Sequence, residues 1–426
     1  MKDRENLAIV LGGSSVTSLG MCRTLGENGV SVFCVDDRRN ETAFSRFCAG
    51  FYAIPGIEGS LRTLKSFFAE LDEVVEVLAV VFPASDLFCL NLVKLLGETS
   101  GKYVFLANRQ SVETLVNKER FYSSLMRAEL PHPETFFPLE DDFSEIERNL
   151  NYPVLVKPAV SQAFSRVFLV KCFVAKDRQE LEKYLRLASE HRISVMVQQI
   201  IPGPPTNVYG IAGYVDRDSA PTGVFAYRRI RDWPHGCGCN SMIESIPVSK
   251  VEPLKKITID YLRSLKYTGL FEAEFKKDEG DGAFKLIEIN ARSWWQNRFA
   301  TVCGLNLVLM AYLDALGREI PAKETYRTGI RWTYACNDLQ SAMTLFQSGN
   351  LSFFEWMSSY KGMVDYAYFA PNDPLPCILN LLFASQMYFK GFLSAHEISE
   401  MCAIESSSDR TNEHCLDFSG TENKRG

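Results

Sequence analysis

The stretch 269–292, GLFEAEFKKDEGDGAFKLIEINAR, constrains this chain more than any other. It reads as two strands joined by a short acidic turn containing Gly280 and Gly282. Strand side chains alternate between faces, so Glu272, Glu274 and Lys276 share one face of the first strand. Phe284, Leu286, Glu288 and Asn290 share one face of the second. A hairpin through Asp278–Gly282 sets Glu274 opposite Glu288. Phe271, Phe275, Ile287 and Ile289 then cover the reverse side. Carboxylates crowded in this way repel one another. A divalent cation such as Mg²⁺ removes the conflict, because it prefers carboxylate and carbonyl oxygens. The alternative is a solvated hairpin edge bearing ordinary surface charge.

At 426 residues the chain is long enough for two or three domains. An apolar share of 46% and a charged share of 23% fit a soluble globular enzyme. The net charge of −6 argues against nonspecific nucleic-acid binding, which needs basic patches. The charged opening Met1–Asn6 runs into a brief apolar Leu7–Leu11, unlike a secretory leader, so a cytoplasmic protein is expected. Twelve cysteines are scattered through strand and helix patterns and read as reduced core residues. Cys237 and Cys239 are the one close pair. With His235 they still fall short of a zinc site.

The first part, to about Ala107, alternates strand-length apolar runs (Leu7–Leu11, Val30–Val35, Leu78–Pro83) with helical patterns. That rhythm predicts an α/β, doubly wound, largely parallel sheet. The turn Gly12–Gly20 and Asp36 invite a dinucleotide-binding reading, yet the G-x-G-x-x-G spacing is absent. Leu115, Phe121, Leu125 and Met126 form a helical stripe ended by Pro131 and Pro133. Tyr152–Lys157 and Ile193–Gly203 read as strands, and Leu254–Leu265 as an amphipathic helix leading into the hairpin. Arg228, Arg229 and Arg231 cluster before a glycine-rich loop; guanidinium forks match carboxylates and phosphates, and a solvated basic turn is the alternative.

Glu288-Ile-Asn290-Ala-Arg292 resembles the E-x-N-x-R signature of ATP-grasp enzymes, and Glu274 stands where that superfamily keeps its other acidic metal ligand. Within it, Tyr267-Thr-Gly269, the EINxR run and Gly304-Leu-Asn-Leu307 are similar to the D-aspartate ligase-like branch and its uncharacterised relatives. The resemblance implies that Glu274, Glu288 and Asn290 hold Mg²⁺ (or Mn²⁺) against the phosphates of ATP. Arg292 would steady the transferred phosphoryl group, with Arg231 near the γ-phosphate and the acceptor, and Lys276 as a further catalytic candidate. Lys118, at a helix start, Lys157, at a strand end, and Lys171 would contact the nucleotide. Gln198 and the main chain of Gln199 and Ile201 would read adenine, and Thr206 or Asn207 would stand in for the ribose-binding acid. The chain departs from the family at Ala159–Arg166, which has no glycine where a glycine-rich flap is usual.

The resemblance covers about residues 5–317. It implies a Rossmann-like pre-ATP-grasp domain at 1–110 and a two-lobed α+β ATP-grasp domain at 111–318 (small lobe about 135–202, large lobe about 203–318). A mostly helical, aromatic-rich extension is expected at 319–402, and a disordered tail at 403–426. The segment 376–395 is too interrupted to span a membrane; body packing, homo-oligomer contact and peripheral membrane contact stay open for it. The implied activity is ligation of a small carboxylate to an amine, amino acids among them, through an acyl phosphate. Three alternatives remain at this stage: a bicarbonate-using carboligase, a nicotinamide oxidoreductase, and a non-catalytic nucleotide-binding assembly protein.

Overall fold

The computed structural model describes residues 7–383 apart from 13–15, 96–100, 139–145, 147, 169, 236–237 and 322–324. The expected tail at 403–426, the segment 376–395 beyond residue 383, the loop glycine Gly236 and the side chain of Arg166 lie outside the described residues. Residues to Pro376 form one compact unit, and Cys377 onward a second, in which 377–383 are helical. No single described helix is long and apolar enough to cross a membrane.

The first unit holds three sheets. Leu7–Leu11 is buried on both faces and sits at the centre of a five-stranded parallel sheet. Ser31–Asp36 and Cys48–Ala53 lie on one side of it, Ala79–Pro83 and Tyr103–Val104 on the other. A continuous apolar run suits a strand covered by helices on both faces. The helices Val16–Gly26, Leu61–Val74 and Asp86–Leu95 supply that cover. This is the doubly wound α/β architecture read from the sequence.

A four-stranded sheet follows, in the order Thr135–Phe136, Val195–Gln199, Val154–Pro158, Phe173–Ala175. Its core is Val154, Val156, Val197, Leu181 and neighbours. Ser161–Phe168 is a helix, so the glycine-free segment is not an open flap, and the next strand is Phe173–Ala175.

The third sheet has seven strands, with Phe284–Asn290 at one edge, then Gly269–Lys277, Val208–Val215, Pro221–Trp233 and Cys239–Ile246. Arg331–Thr333 and Val364–Tyr366 complete it. The region after residue 318 therefore adds two strands to this sheet besides its helices Ala335–Gln347 and Phe353–Ser358. Asp338, fully buried, anchors those helices. It accepts hydrogen bonds from both ends of the Arg231 guanidinium (2.8 Å each), from Trp356 Nε1 (2.9 Å) and from the Tyr360 hydroxyl (2.7 Å).

Candidate active site

The hairpin register pairs Glu274 with Glu288 and Glu272 with Asn290. A β-bulge then intervenes: Phe275 pairs with Leu286, so Ile287 is an extra residue on the second strand. A bulge reverses the faces beyond it. Leu286 is accordingly buried in the core, and Ile287 lines the cleft instead of the reverse side. The Tyr122 hydroxyl donates to the Ile287 carbonyl (2.6 Å).

A cleft of about 950 Å³ opens over this hairpin. Lys118, Lys157, Lys171, Gln198, Gln199, Ile201, Glu274, Lys276, Glu288, Asn290 and Arg292 all line it. Lys118 is the first residue of Lys118–Arg127, capped by Asn117, whose side chain accepts from the Arg120 amide. The Lys118 amide donates to the Ala159 carbonyl (2.9 Å), which ties the helix start to the end of the Lys157 strand. From there Lys118 Nζ donates to Glu288 Oε2 (3.0 Å). Lys157 Nζ donates to Gln198 Oε1 (2.8 Å), while Gln198 Nε2 donates to the Thr135 hydroxyl (2.8 Å). Lys171 Nζ reaches Cys239 Sγ (2.9 Å), and Lys276 Nζ donates to the Ile201 carbonyl (2.7 Å). The Gln199 amide is committed to the Glu134 carbonyl (2.9 Å).

Two expected contacts are not brought to the cleft. Arg231 is buried, held by Asp338, and donates as well to the Ser359 hydroxyl (2.9 Å). The reason is a second bulge: Arg229 pairs with Ile243 and Arg231 with Met242, so Ile230 is an extra residue and the two arginines face opposite ways. Arg229 takes the cleft position, donating to Glu274 Oε2 (2.8 Å) and, through Nε, to Asn240 Oδ1. Asn207 turns to the Lys277 carbonyl (3.4 Å) and Glu279 (3.3 Å), away from the lining residues.

Asp86 joins the site unannounced by the sequence, and Glu272 and Arg229, noted there only as part of a strand face and an arginine cluster, join it too. Glu272 accepts from Asn290 Nδ2 (2.9 Å) and from the Tyr227 hydroxyl. Its place beside Glu274 on the period-two pattern was the available signal. Asp86 arrives from the first sheet's far end to pair with Arg292 Nε (2.7 Å), and Arg292 also donates to Asn290 Oδ1 (3.0 Å). Nothing local in the sequence marks Asp86. Trp295 and Gln296 line the cleft, whereas Trp294 is core and Arg298 pairs with Glu27 (2.9 Å). Thr344, Leu345, Ser348 and Asn350 add a wall from the chain beyond residue 318.

The electrostatics follow from burial and pairing. Burial pushes the Glu272 carboxyl up to about 7, and the Tyr227 hydroxyl only partly counters it. Burial likewise raises Glu274, against the pull of Arg229. The Lys118 ammonium draws Glu288 down to about 2, so Glu288 is the firm anion of the set. Glu274, Glu288 and the Asn290 amide oxygen are all oxygen donors, the ligand class Mg²⁺ takes. Three ammonium groups share the cleft with them as point charges, Lys118 in direct contact with Glu288.

No family model matches the chain. It is 25% identical over 344 residues to D-aspartate ligase of Enterococcus faecium (strain Aus0004), covering 76% of this chain and 80% of that one. Among solved structures it resembles L-amino acid ligase from Bacillus licheniformis (TM-score 0.55, 15% identity, 74% of this chain and 75% of that one). It also resembles the biotin carboxylase domain of Hydrogenobacter thermophilus 2-oxoglutarate carboxylase, in complex with MgADP, ADP and bicarbonate (TM-score 0.60, 14% identity, 77% and 74%). The chain thus shares the ATP-grasp fold of these structures over about three-quarters of its length and is related in sequence to D-aspartate ligase.

Proposed function

We propose that this protein joins a small carboxylic acid to an amine at the expense of ATP, forming a C–N bond. The observation that carries the reading is the gathering of three lysines, Lys118, Lys157 and Lys171, with Glu274, Glu288 and Asn290 in one cleft, Lys118 being paired directly with Glu288. ATP is the substrate such a cleft fits, with its triphosphate among these groups. Glu274, Glu288 and Asn290 are the residues to hold Mg²⁺, whose charge there offsets the repulsion between triphosphate and carboxylate.

The lysines balance the phosphate oxygens, and Ile287 with the Gln199–Ile201 segment supplies an apolar and hydrogen-bonding berth for the base. A carboxylate oxygen attacks the γ-phosphorus, and ADP leaves with the electron pair of the broken P–O bond. An amine then attacks the acyl phosphate carbonyl, phosphate departs, and the amine loses a proton. Arg229 and Arg292 keep fixed positive charge beside the hairpin throughout. No covalent enzyme nucleophile enters; catalysis is positioning and charge neutralisation. D-aspartate ligase and L-amino acid ligase are named for amino acids, and we extend that substrate class to this chain.

The test is an ADP-release screen of paired amino acids and small carboxylic acids, with mass analysis of the product. An amide product is expected. Bicarbonate-dependent ADP release with a carboxylated product marks a carboligase instead, and nucleotide binding without turnover under any pair refutes the ligase.

A further inference from the structure

A cluster unconnected with the cleft lies in the first sheet. Cys22 comes from the helix Val16–Gly26, Cys34 from Ser31–Asp36 and Cys48 from the start of Cys48–Ala53. Their three Sγ atoms all lie within 4.8 Å of one another. Cys22 and Cys34 are wholly buried in an apolar core, and Cys48 is half-buried at its margin. All three are free thiols. Convergence from three separate elements is more than one thiol filling a gap.

The geometry suits one kind of guest. A metal–thiolate bond of about 2.3 Å puts three sulfurs around a trigonal ion about 4 Å apart, so adjustments of an ångström or less close the triangle. The nearby hard groups are spoken for. The Ser45 hydroxyl donates to Asp373 (2.7 Å), and Asp373 in turn is locked to Arg23 (2.9 Å). Soft sulfur donors select thiophilic metals, and structural zinc almost always takes four ligands. Among the described residues no histidine, carboxylate or further cysteine joins the three sulfurs, which favours an ion content with three ligands. The half-buried Cys48 gives it a way in.

We propose that Cys22, Cys34 and Cys48 form a three-thiolate site for a soft monovalent metal ion, Cu(I) being the ion of choice. Each ligating thiol releases its proton to solvent as the metal–sulfur bond forms. The site is independent of the ligase reading, since none of the three cysteines lines the cleft.

The probe is Cu(I) held by a chromophoric chelator, titrated anaerobically into the reduced full-length chain without nucleotide. One equivalent should be withdrawn from the chelator, and X-ray absorption should show three sulfur neighbours. Cys34→Ser and Cys48→Ser should each weaken binding by at least about a hundredfold, because even groups that only orient a metal ligand are worth 10–100-fold in affinity. Cys336→Ser, on a different helix, should leave the affinity unchanged. Since a core substitution can unfold the protein, the wild type supplies a second readout. Bound Cu(I) should shield Cys48 from alkylation while Cys336 stays reactive. Failure to compete with the chelator overturns the proposal. So does equal uptake by folded Cys34→Ser, shielding of cysteines outside the triad, or a disulfide within the triad in the protein as isolated.

Discussion

Replacing Arg229 with methionine isolates one buried charge of the cleft. The Arg229 side chain is 9% exposed and that of its partner Glu274 is 18% exposed, with 2.8 Å between them. Removing one member of such a pair strands the other charge in low dielectric, which costs about 3–5 kcal/mol. Against a total stability of roughly 5–15 kcal/mol for a folded protein, that loss should shift the urea midpoint plainly. Replacing both charges, Arg229→Met with Glu274→Gln, should recover much of it, about 2 kcal/mol or more, because an apolar or neutral pair carries no stranded ion.

The single variant also has a pH signature. Glu274 already sits above its ordinary value of 4.5 through burial, held partly in check by Arg229. Without Arg229 it rises further, so the folded state keeps a proton that the unfolded state gives up. A raised carboxyl makes stability fall as pH climbs from the unfolded value toward the folded one. The deficit against wild type should therefore be smallest near pH 4.5 and full at pH 8. Urea unfolding at several pH values measures both effects. A deficit under about 1 kcal/mol, or one that grows toward acid, refutes the placement of Arg229 against a buried Glu274.

Glu272, raised to about 7 from 4.5 by burial, should make wild-type stability decline between those two pH values, and Glu272→Gln should flatten the decline, as urea midpoints at pH 5 and 7.5 will show. Asp338→Asn breaks a fully buried hub and should cost about 3–5 kcal/mol, while the folded fraction keeps wild-type ATP affinity by calorimetry, because Arg231 lies outside the cleft. Lys157→Met should weaken Mg-ATP by about 10–100-fold, the worth of a charged hydrogen bond, as calorimetry will show, and should also cost about 1–3 kcal/mol of stability because buried Gln198 loses its donor. Gly210→Ala should cost about 1–3 kcal/mol by overpacking: the new Cβ would lie 2.1 Å from the Tyr227 ring, and its displacement frees Glu272, which tyrosine fluorescence and unfolding curves together report.

What the sequence could and could not reveal divides along physical lines. The pairing of Glu274 with Glu288 was legible because period-two alternation is imposed by backbone geometry, and the apolar run Leu7–Leu11 announced a covered parallel strand for the same reason. Alternation fails where a residue is inserted. The bulges at Ile230 and Ile287 each invert the faces beyond them, carrying Arg231 into the core against Asp338 and exchanging Leu286 for Ile287 at the cleft. No residue type at those positions compels a bulge, so its energy is set by the packing on either side of the sheet. Asp86 and the Thr344–Asn350 wall come from chain segments far from the hairpin, and only the three-dimensional path of the chain decides that they meet it. Glu272 is the instructive case. It was on the right face and in the right register, yet its role as the acceptor of Asn290 and Tyr227 depends on Gly210 leaving room for a tyrosine ring from the next strand but one. A pattern along one strand assigns a side; which charges are neutralised there depends on the strands beside it.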